Sequence, residues 1–188
     1  MASAGKYKRI RFKYSDYRSQ SLENRKHNYD CEAMVYYNSK LYLFTKNWAD
    51  CISKNCSTTI YEIDLAENIT APEKKHTAKY IGKIPTPCLV TGAAILKIDT
   101  GYELSLIGYQ YKTDSISEAD IFLRIYNIPQ KAPLSETDFK DFTSCVLGKQ
   151  KELHQVEAIC YKDRNHYIIS GENDYLKKGF VFEFERTP

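Results

Sequence analysis

Three related units follow one another along this chain, and the repetition limits the fold more than any other feature of the sequence. The stretch DCEAMVYYNSKLYLFTKNW (residues 30–48) and the later stretch QVEAICYKDRNHYIISGEN (residues 155–173) share one order of residues: Glu, Ala, an apolar residue, a Tyr, a polar turn and a second apolar run. These stretches open the first and third units, and the second unit begins between them at TGAAILKI (residues 91–98). A repeat period on the order of 60 residues is near that of propeller blades and other repeat arrays.

The composition favours strands over helices. The chain holds 16 Tyr and 8 Phe against 8 Gly and 6 Pro, and aromatic side chains fit a pleated, half-buried surface. Each unit contains three strand-like runs separated by polar turns, and no connector is long enough to mark a domain boundary. We therefore predict an all-β fold: residues 1–188 form one domain, a partial β-propeller of about three blades. The predicted blade units span residues 30–65, 89–128 and 155–185.

A further strand is predicted ahead of the first unit. Residues 9–16 alternate cationic side chains with Ile10, Phe12 and Tyr14, and we predict that they are the last strand of an incomplete preceding blade. A closed propeller has at least four blades, so the predicted units do not complete a ring. Two alternatives follow: the chain is a piece of a longer protein, or it assembles with a partner. Two copies could form a six-bladed homodimer, because an open strand edge is a template for pairing.

Charge and hydropathy disfavour two classes of function. The formal net charge is only +3 and the basic residues are scattered among acids, which makes a nucleic-acid partner a poor expectation. No apolar run approaches the roughly 20 residues that a membrane helix needs, and the N-terminus lacks the pattern of a signal peptide. We expect an unidentified protein or carbohydrate partner, without membrane insertion.

Several segments resemble a known family. IRFKYSD, DCEAMVYYNSKLYLFTKNW, TTIYEIDL, LVTGAAI, LIGYQY and QVEAICY resemble the later part of a family of bacterial secreted or envelope-associated propeller-like domains of unassigned function, and more loosely the phytase-like and esterase-like propellers. The resemblance runs from Arg9 to about Asn173. It implies an extracellular or envelope location. The chain departs from the family in lacking the first blade and an acidic segment expected upstream.

Carboxylates stand at equivalent places in two units. Asp30 and Glu32 are two residues apart, so in a strand they share a face, and Glu157 occupies the equivalent place in the third unit. The second unit has Gly92 there. Inner strands of a propeller line its axial channel, where carboxylate oxygens could hold Ca²⁺. We predict a divalent-cation site at Asp30, Glu32 and Glu157; alternatively, these carboxylates cap turns or accept backbone N–H groups.

A second group of candidates stands at strand ends. Lys46, Asn47 and Trp48 end the LYLFTKNW run, and Asn173 ends the corresponding run of the third unit. We predict that these four residues contact a ligand. For Trp48 the alternative is packing under a loop, since an indole buries a large apolar area.

These patterns favour a non-catalytic binding or interaction module. The alternative is a hydrolase of the phytase-like or esterase-like kind that uses the same acids, as the resemblance implies. The chain has no GxSxG nucleophile motif and no glycine-rich phosphate loop.

The six cysteines lack metal-binding spacing. Cys51 and Cys56 flank ISKN in a predicted hairpin loop and are close enough in sequence to be bridged. For Cys31, Cys88, Cys145 and Cys160 a buried thiol is the expectation.

Overall fold

The computed structural model describes residues 9–18, 26–65, 75–112, 118–131, 133–173 and 178–186. The first group of elements comprises β1 (Arg11–Tyr14), β2 (Asp30–Tyr37), β3 (Lys40–Lys46), α1 (Trp48–Ile52), β4 (Ser57–Asp64) and β5 (Lys75–Pro85). The second comprises β6 (Leu89–Ile98), β7 (Gly101–Tyr109), β8 (Asp120–Ile128), a 3₁₀ helix (Glu136–Phe139) and β9 (Phe142–Lys149). The third comprises α2 (Gln150–Leu153), β10 (Gln155–Tyr161), β11 (His166–Asn173) and β12 (Lys178–Glu185). None of the helices described is long and apolar enough to cross a membrane.

The strands form three sheets, which we call blades 1, 2 and 3. Blade 1 has the order β1-β5-β4-β3-β2, blade 2 the order β6-β7-β8-β9, and blade 3 the order β10-β11-β12. All neighbouring strands are antiparallel except β1, which runs parallel to β5. The inner strand of blade 2, β6, lies against both β2 and β10, so the three inner strands are neighbours. The chain is a partial β-propeller, as predicted.

Strand β1 lies elsewhere than the sequence predicted. The prediction assigned residues 9–16 to a preceding blade, whereas the structure pairs β1 with the outermost strand of blade 1, with Arg11 opposite Lys75 and Tyr14 opposite Ala78. Tyr14 packs its ring 4.5 Å from that of Tyr61, centroid to centroid, so burial of this aromatic side chain holds β1 against blade 1.

Blades 1 and 2 are also longer than predicted, because each has a fourth strand. Blade 1 continues through β5 to Pro85 and blade 2 through β9 to Lys149. In both strands most side chains are exposed or only partly buried, so neither carries the apolar run by which inner strands are recognised. The 3₁₀ helix follows Ser135, whose backbone N–H donates to the Asp138 carboxylate (2.8 Å).

Each inner strand carries a β-bulge at the same place. The register shifts between Cys31 and Ala33 in β2, between Val90 and Gly92 in β6, and between Val156 and Ala158 in β10. The bulged residues are therefore Glu32, Thr91 and Glu157. A bulge adds one unpaired residue and redirects a side chain, so the same local geometry recurs in all three blades at one end, where the inner strands begin. We call this the top end.

Two apolar cores lie between the blades. One joins blades 1 and 2 and includes Val35, Phe44 and Tyr126; the other joins blades 2 and 3 and includes Ile107 and Tyr167. The rings of Phe139 and Tyr126 meet edge to face with centroids 5.4 Å apart, which anchors the 3₁₀ helix in the first core.

Candidate functional site

Four charged side chains gather at the top end of the inner strands; we call Asp30, Glu32, Lys46 and Glu157 the axial cluster. Lys46 Nζ forms an ion pair with Glu32 Oε2, and the lysine side chain is only 3% exposed. Glu157 lies within electrostatic range of both Lys46 and Glu32, and its Oε1 accepts a hydrogen bond from Gln155 Nε2 (2.6 Å). The structure thus brings together the three predicted metal ligands and one predicted ligand-binding residue.

Two aromatic rings enclose the lysine. Lys46 Nζ lies 5.2 Å from the centroid of the Trp48 ring and 5.3 Å from that of Tyr109, distances typical of cation–π contacts. Trp48 Nε1 donates a hydrogen bond to Asp30 Oδ2 (3.0 Å), and the Trp48 ring meets Tyr111 edge to face at 6.1 Å. Trp48 is 8% exposed, so it packs at the base of the axial cluster, as its alternative interpretation held.

Burial shifts the pKa of both bulged acids in one direction. Partial burial raises the pKa of Glu32 above its ordinary value, and the neighbouring Asp30 adds to this, while Lys46 opposes it only in part. Burial also raises the pKa of Glu157, against the hydrogen bond from Gln155 and the charge of Lys46. For Lys46, burial alone would lower the pKa, but Tyr109, Glu32 and Glu157 outweigh it and the pKa is raised. Burial thus favours the neutral form of both acids, while the carboxylates favour the charged form of the lysine.

In blade 2 the equivalent of the bulged acids is Thr91. The sequence comparison placed Gly92 opposite Glu32 and Glu157, one residue further on than the observed register. Thr91 is fully buried, and its Oγ1 has no hydrogen-bond partner within the described structure. Gly92 has a different use: a Cβ there would lie 3.1 Å from the Cα of Ala158, so the glycine lets β6 approach β10 closely.

The described residues contain no group of three or more His, Cys, Asp or Glu side chains that could hold a metal ion. Asp30, Glu32 and Glu157 lie in one neighbourhood, but the Lys46 ammonium stands among them. Calcium binding stays a prediction.

Asn47 belongs to a buried hydrogen-bond network that sequence reasoning missed. Its Nδ2 donates to Ser57 Oγ (2.9 Å) and Thr59 Oγ1 (3.0 Å), and its Oδ1 accepts from Thr45 Oγ1 (2.6 Å). Asp50 joins this network through Ser57. Asn47 is fully buried, and both the oxygen and the nitrogen of its amide are hydrogen-bonded. It therefore links the end of β3 to the start of β4. The hydroxyl-rich CSTT run, residues 56–59, was the available signal.

A cavity of about 730 Å³ is lined in part by Tyr111, whose ring contacts Trp48. It lies between the loop after α1, the connector from β5 to β6 and the end of β7. Its lining includes Lys54, Lys83, Gln110 and Tyr111, together with the Cys51–Cys56 disulfide, which confirms the predicted bridge. The segment predicted as a hairpin loop is the short helix α1 followed by a turn.

The remaining sequence predictions concern Asn173 and the four cysteines outside the disulfide. The backbone of Asn173 pairs with Lys178 at the top end of blade 3, but its side chain lies outside the described residues. Cys88 is buried as expected, and burial raises the pKa of its thiol to about 12; Cys31 is partly buried, whereas Cys145 and Cys160 are exposed. Exposure contradicts the expectation for these last two, which face outward from β9 and β10.

No family model matches the chain, and no curated protein matches it. Among solved structures, the chain is similar to a GH43 β-1,3-galactosidase determined with galactodeoxynojirimycin, at 13% identity and a TM-score of 0.42. The likeness covers 85% of this chain and 46% of that one, so this chain spans less than half the length of the galactosidase. Likeness at this level assigns neither activity nor ligand.

Proposed function

We propose that this chain is a non-catalytic binding module of propeller type whose axial cluster holds a divalent cation, with calcium as the first candidate. The observation that carries the proposal is the recurrence of one bulge in three adjacent inner strands, which puts Glu32, Thr91 and Glu157 at equivalent positions. A bulge re-aims a side chain, and Glu157 lies within electrostatic range of Glu32 and Lys46.

Charge supports a cation as the ligand. The axial cluster contains three carboxylates and one ammonium, so its formal charge is −2 when all four groups are ionised. Burial is the main cause of the raised pKa of Glu32 and of Glu157, and neighbouring carboxylates add to it. A hard cation held by these oxygen ligands would offset the net negative charge.

The test is a thermal melt of the metal-free chain, with added CaCl₂ and with EDTA. Because a ligand that binds only the folded state raises its stability, we expect calcium to raise Tm. Glu157→Gln removes a carboxylate with a raised pKa, so it should raise Tm of the metal-free chain at pH 7 and reduce the calcium response. The matched control is Glu183→Gln, which changes an exposed acid that is paired with Lys162. A Tm that ignores calcium would refute a cation site.

Hydrolysis is the second candidate, and the specific observation in its favour is again the raised pKa of two neighbouring carboxylic acids. A carboxyl group whose pKa lies above its ordinary value keeps its proton to a higher pH, which favours a role as a general acid. Under this alternative, Glu157→Gln abolishes turnover of phosphate or carboxylic esters, while far-UV circular dichroism stays unchanged. Absence of turnover by the unaltered chain on both ester classes would reject it.

The partner is proposed to be a carbohydrate or a protein segment that enters the cavity. Tyr111 offers a ring, and Asn55 and Gln110 offer amide groups along the lining. An extracellular or envelope location is proposed with it, because disulfides such as Cys51–Cys56 persist in oxidising compartments. Binding to a glycan array by the unaltered chain, and its loss in Tyr111→Ala, would test the carbohydrate assignment.

A further inference from the structure

The three bulges align the inner strands residue by residue. Ala33, Gly92 and Ala158 each follow a bulge and are therefore equivalent. The next three positions along β2, β6 and β10 are then equivalent in turn: Met34, Ala93 and Ile159; Val35, Ala94 and Cys160; and Tyr36, Ile95 and Tyr161. The packing of equivalent residues can then be compared between the three blades. We call the face of a blade that holds the Met34 and Tyr36 positions its back face, and the face that holds the Val35 position its front face.

Within the chain, back faces pack on front faces. Ala93 and Ile95 on the back of blade 2 pack against the core that contains Val35 on the front of blade 1. Ile159 and Tyr161 on the back of blade 3 pack against the core that contains Ala94 on the front of blade 2. One type of interface is therefore used twice.

Among the residues that the structure describes, the two outer faces are the unused halves of this same interface. On the back of blade 1, Met34 is 61% exposed and Tyr36 is 60% exposed, although their equivalents in the other blades are buried or partly buried. The outer part of this face is already covered by Tyr14 and Tyr29, so the uncovered area lies along the inner strand. On the front of blade 3, Cys160 is exposed and Val181 is 72% exposed.

We propose that a second copy of this chain covers both faces, with the back of blade 1 in each copy packed on the front of blade 3 in the other. The occupant is a second copy because this chain itself presents both halves of the interface. The contact is between sheet faces, not between strand edges as the sequence suggested for a homodimer.

The number of blades in the assembly favours a dimer over other homo-oligomers. Each chain supplies three sheets, so two copies supply six blades, within the range of about four to eight blades that propellers use. Three copies would supply nine. A head-to-tail contact of this kind gives a closed ring only if the rotation closes, and otherwise gives open filaments.

The first test is the native mass of the unaltered chain across a concentration series. We expect species of 21.8 kDa and of twice that mass, with the larger one dominant at high concentration. Tyr36→Glu should shift the population to the single chain. The matched control is Val146→Glu, because Val146 is 54% exposed on β9, the outer strand of blade 2, and lies outside both faces; this variant should still dimerise.

The second test needs no substitution and so does not depend on the folding of a variant. Cys145 and Cys160 are both exposed in the single chain, but only Cys160 lies on a proposed interface. Maleimide should label both at low concentration, and on dimerisation labelling of Cys160 should slow at least tenfold while labelling of Cys145 does not change. A single-chain mass at millimolar concentration, an open polymer, or a dimer in which Cys160 reacts as fast as before would each overturn the proposal. Calcium binding at the axial cluster is measured separately and does not affect this result.

Discussion

Lys46 on β3 and Glu32 in the bulge of β2 form an ion pair at the top end of blade 1. The lysine is almost fully buried, whereas the side chain of Glu32 is 29% exposed. Trp48 and Tyr109 flank the ammonium. This pair links the inner strand to its neighbour and sets the charge of the axial cluster.

Removal of the ammonium should destabilise the fold. Lys46→Met leaves Asp30, Glu32 and Glu157 without their cation, and we expect a loss of about 2–3 kcal/mol, at or below the range for a broken buried pair because Glu32 retains contact with water. Urea denaturation at pH 7 measures it. The double variant Lys46→Met with Glu32→Gln should recover part of the loss, and a double variant no more stable than the single one would contradict this electrostatic account.

Acid should weaken the loop that carries the disulfide. Burial alone would raise the pKa of Asp50, but Lys83, Ser57 and Asn28 outweigh it, so the pKa lies below its ordinary value. A carboxyl group of this kind stabilises the fold above its unfolded pKa of about 4, and this contribution is lost as the pH falls through the folded value. Urea midpoints between pH 6 and pH 2 should therefore fall less steeply for Asp50→Asn than for the unaltered chain. Asp99→Asn, at an exposed turn, should leave the slope unchanged.

A side chain at Gly92 should separate blades 2 and 3. A Cβ there would lie 3.0 Å from Ile107 Cγ2 as well as close to the backbone of Ala158, so Gly92→Ala should cost about 1–3 kcal/mol, as overpacking does. Gly179→Ala serves as the control, because the nearest atom to its Cβ would be 4.0 Å away. Thermal melts of the two variants should differ clearly, and equal melting temperatures would show that β6 and β10 can move apart without cost.

The hydroxyl group of Tyr42 should contribute to the stability of the fold. Fully buried, it donates to Glu62 Oε2 (3.0 Å) and accepts from the backbone N–H of Leu134 (3.1 Å). Tyr42→Phe leaves the Leu134 N–H unpaired and removes one hydrogen bond from Glu62, which keeps its ion pair with Lys40. We expect a loss of about 1–3 kcal/mol in the free energy of unfolding. Tyr80→Phe changes a ring that is 42% exposed and should alter stability little. Chemical denaturation of both variants compares them directly.

Part of the candidate site could be read from the sequence. The Glu-Ala step appears in two units, and it predicted that Glu32 and Glu157 occupy equivalent positions, as their matching bulges show. Thr91 could not be aligned with them, because a bulge adds a residue without a fixed sequence signature and shifts the register by one. The network around Asn47 was also missed, since hydroxyl residues at a strand start resemble ordinary turn residues until their partners are known.

The sequence by itself determined that this protein is built from repeated antiparallel sheets, since alternating aromatic and polar residues between polar turns specify strands locally. It also indicated that Cys51 and Cys56, which are only a few residues apart, could be bridged. Only the tertiary structure decided that β1 joins blade 1, that Lys46 stands among the carboxylates, and that two sheet faces stay open. These features depend on contacts between residues far apart in the chain, where packing and charge override local pattern.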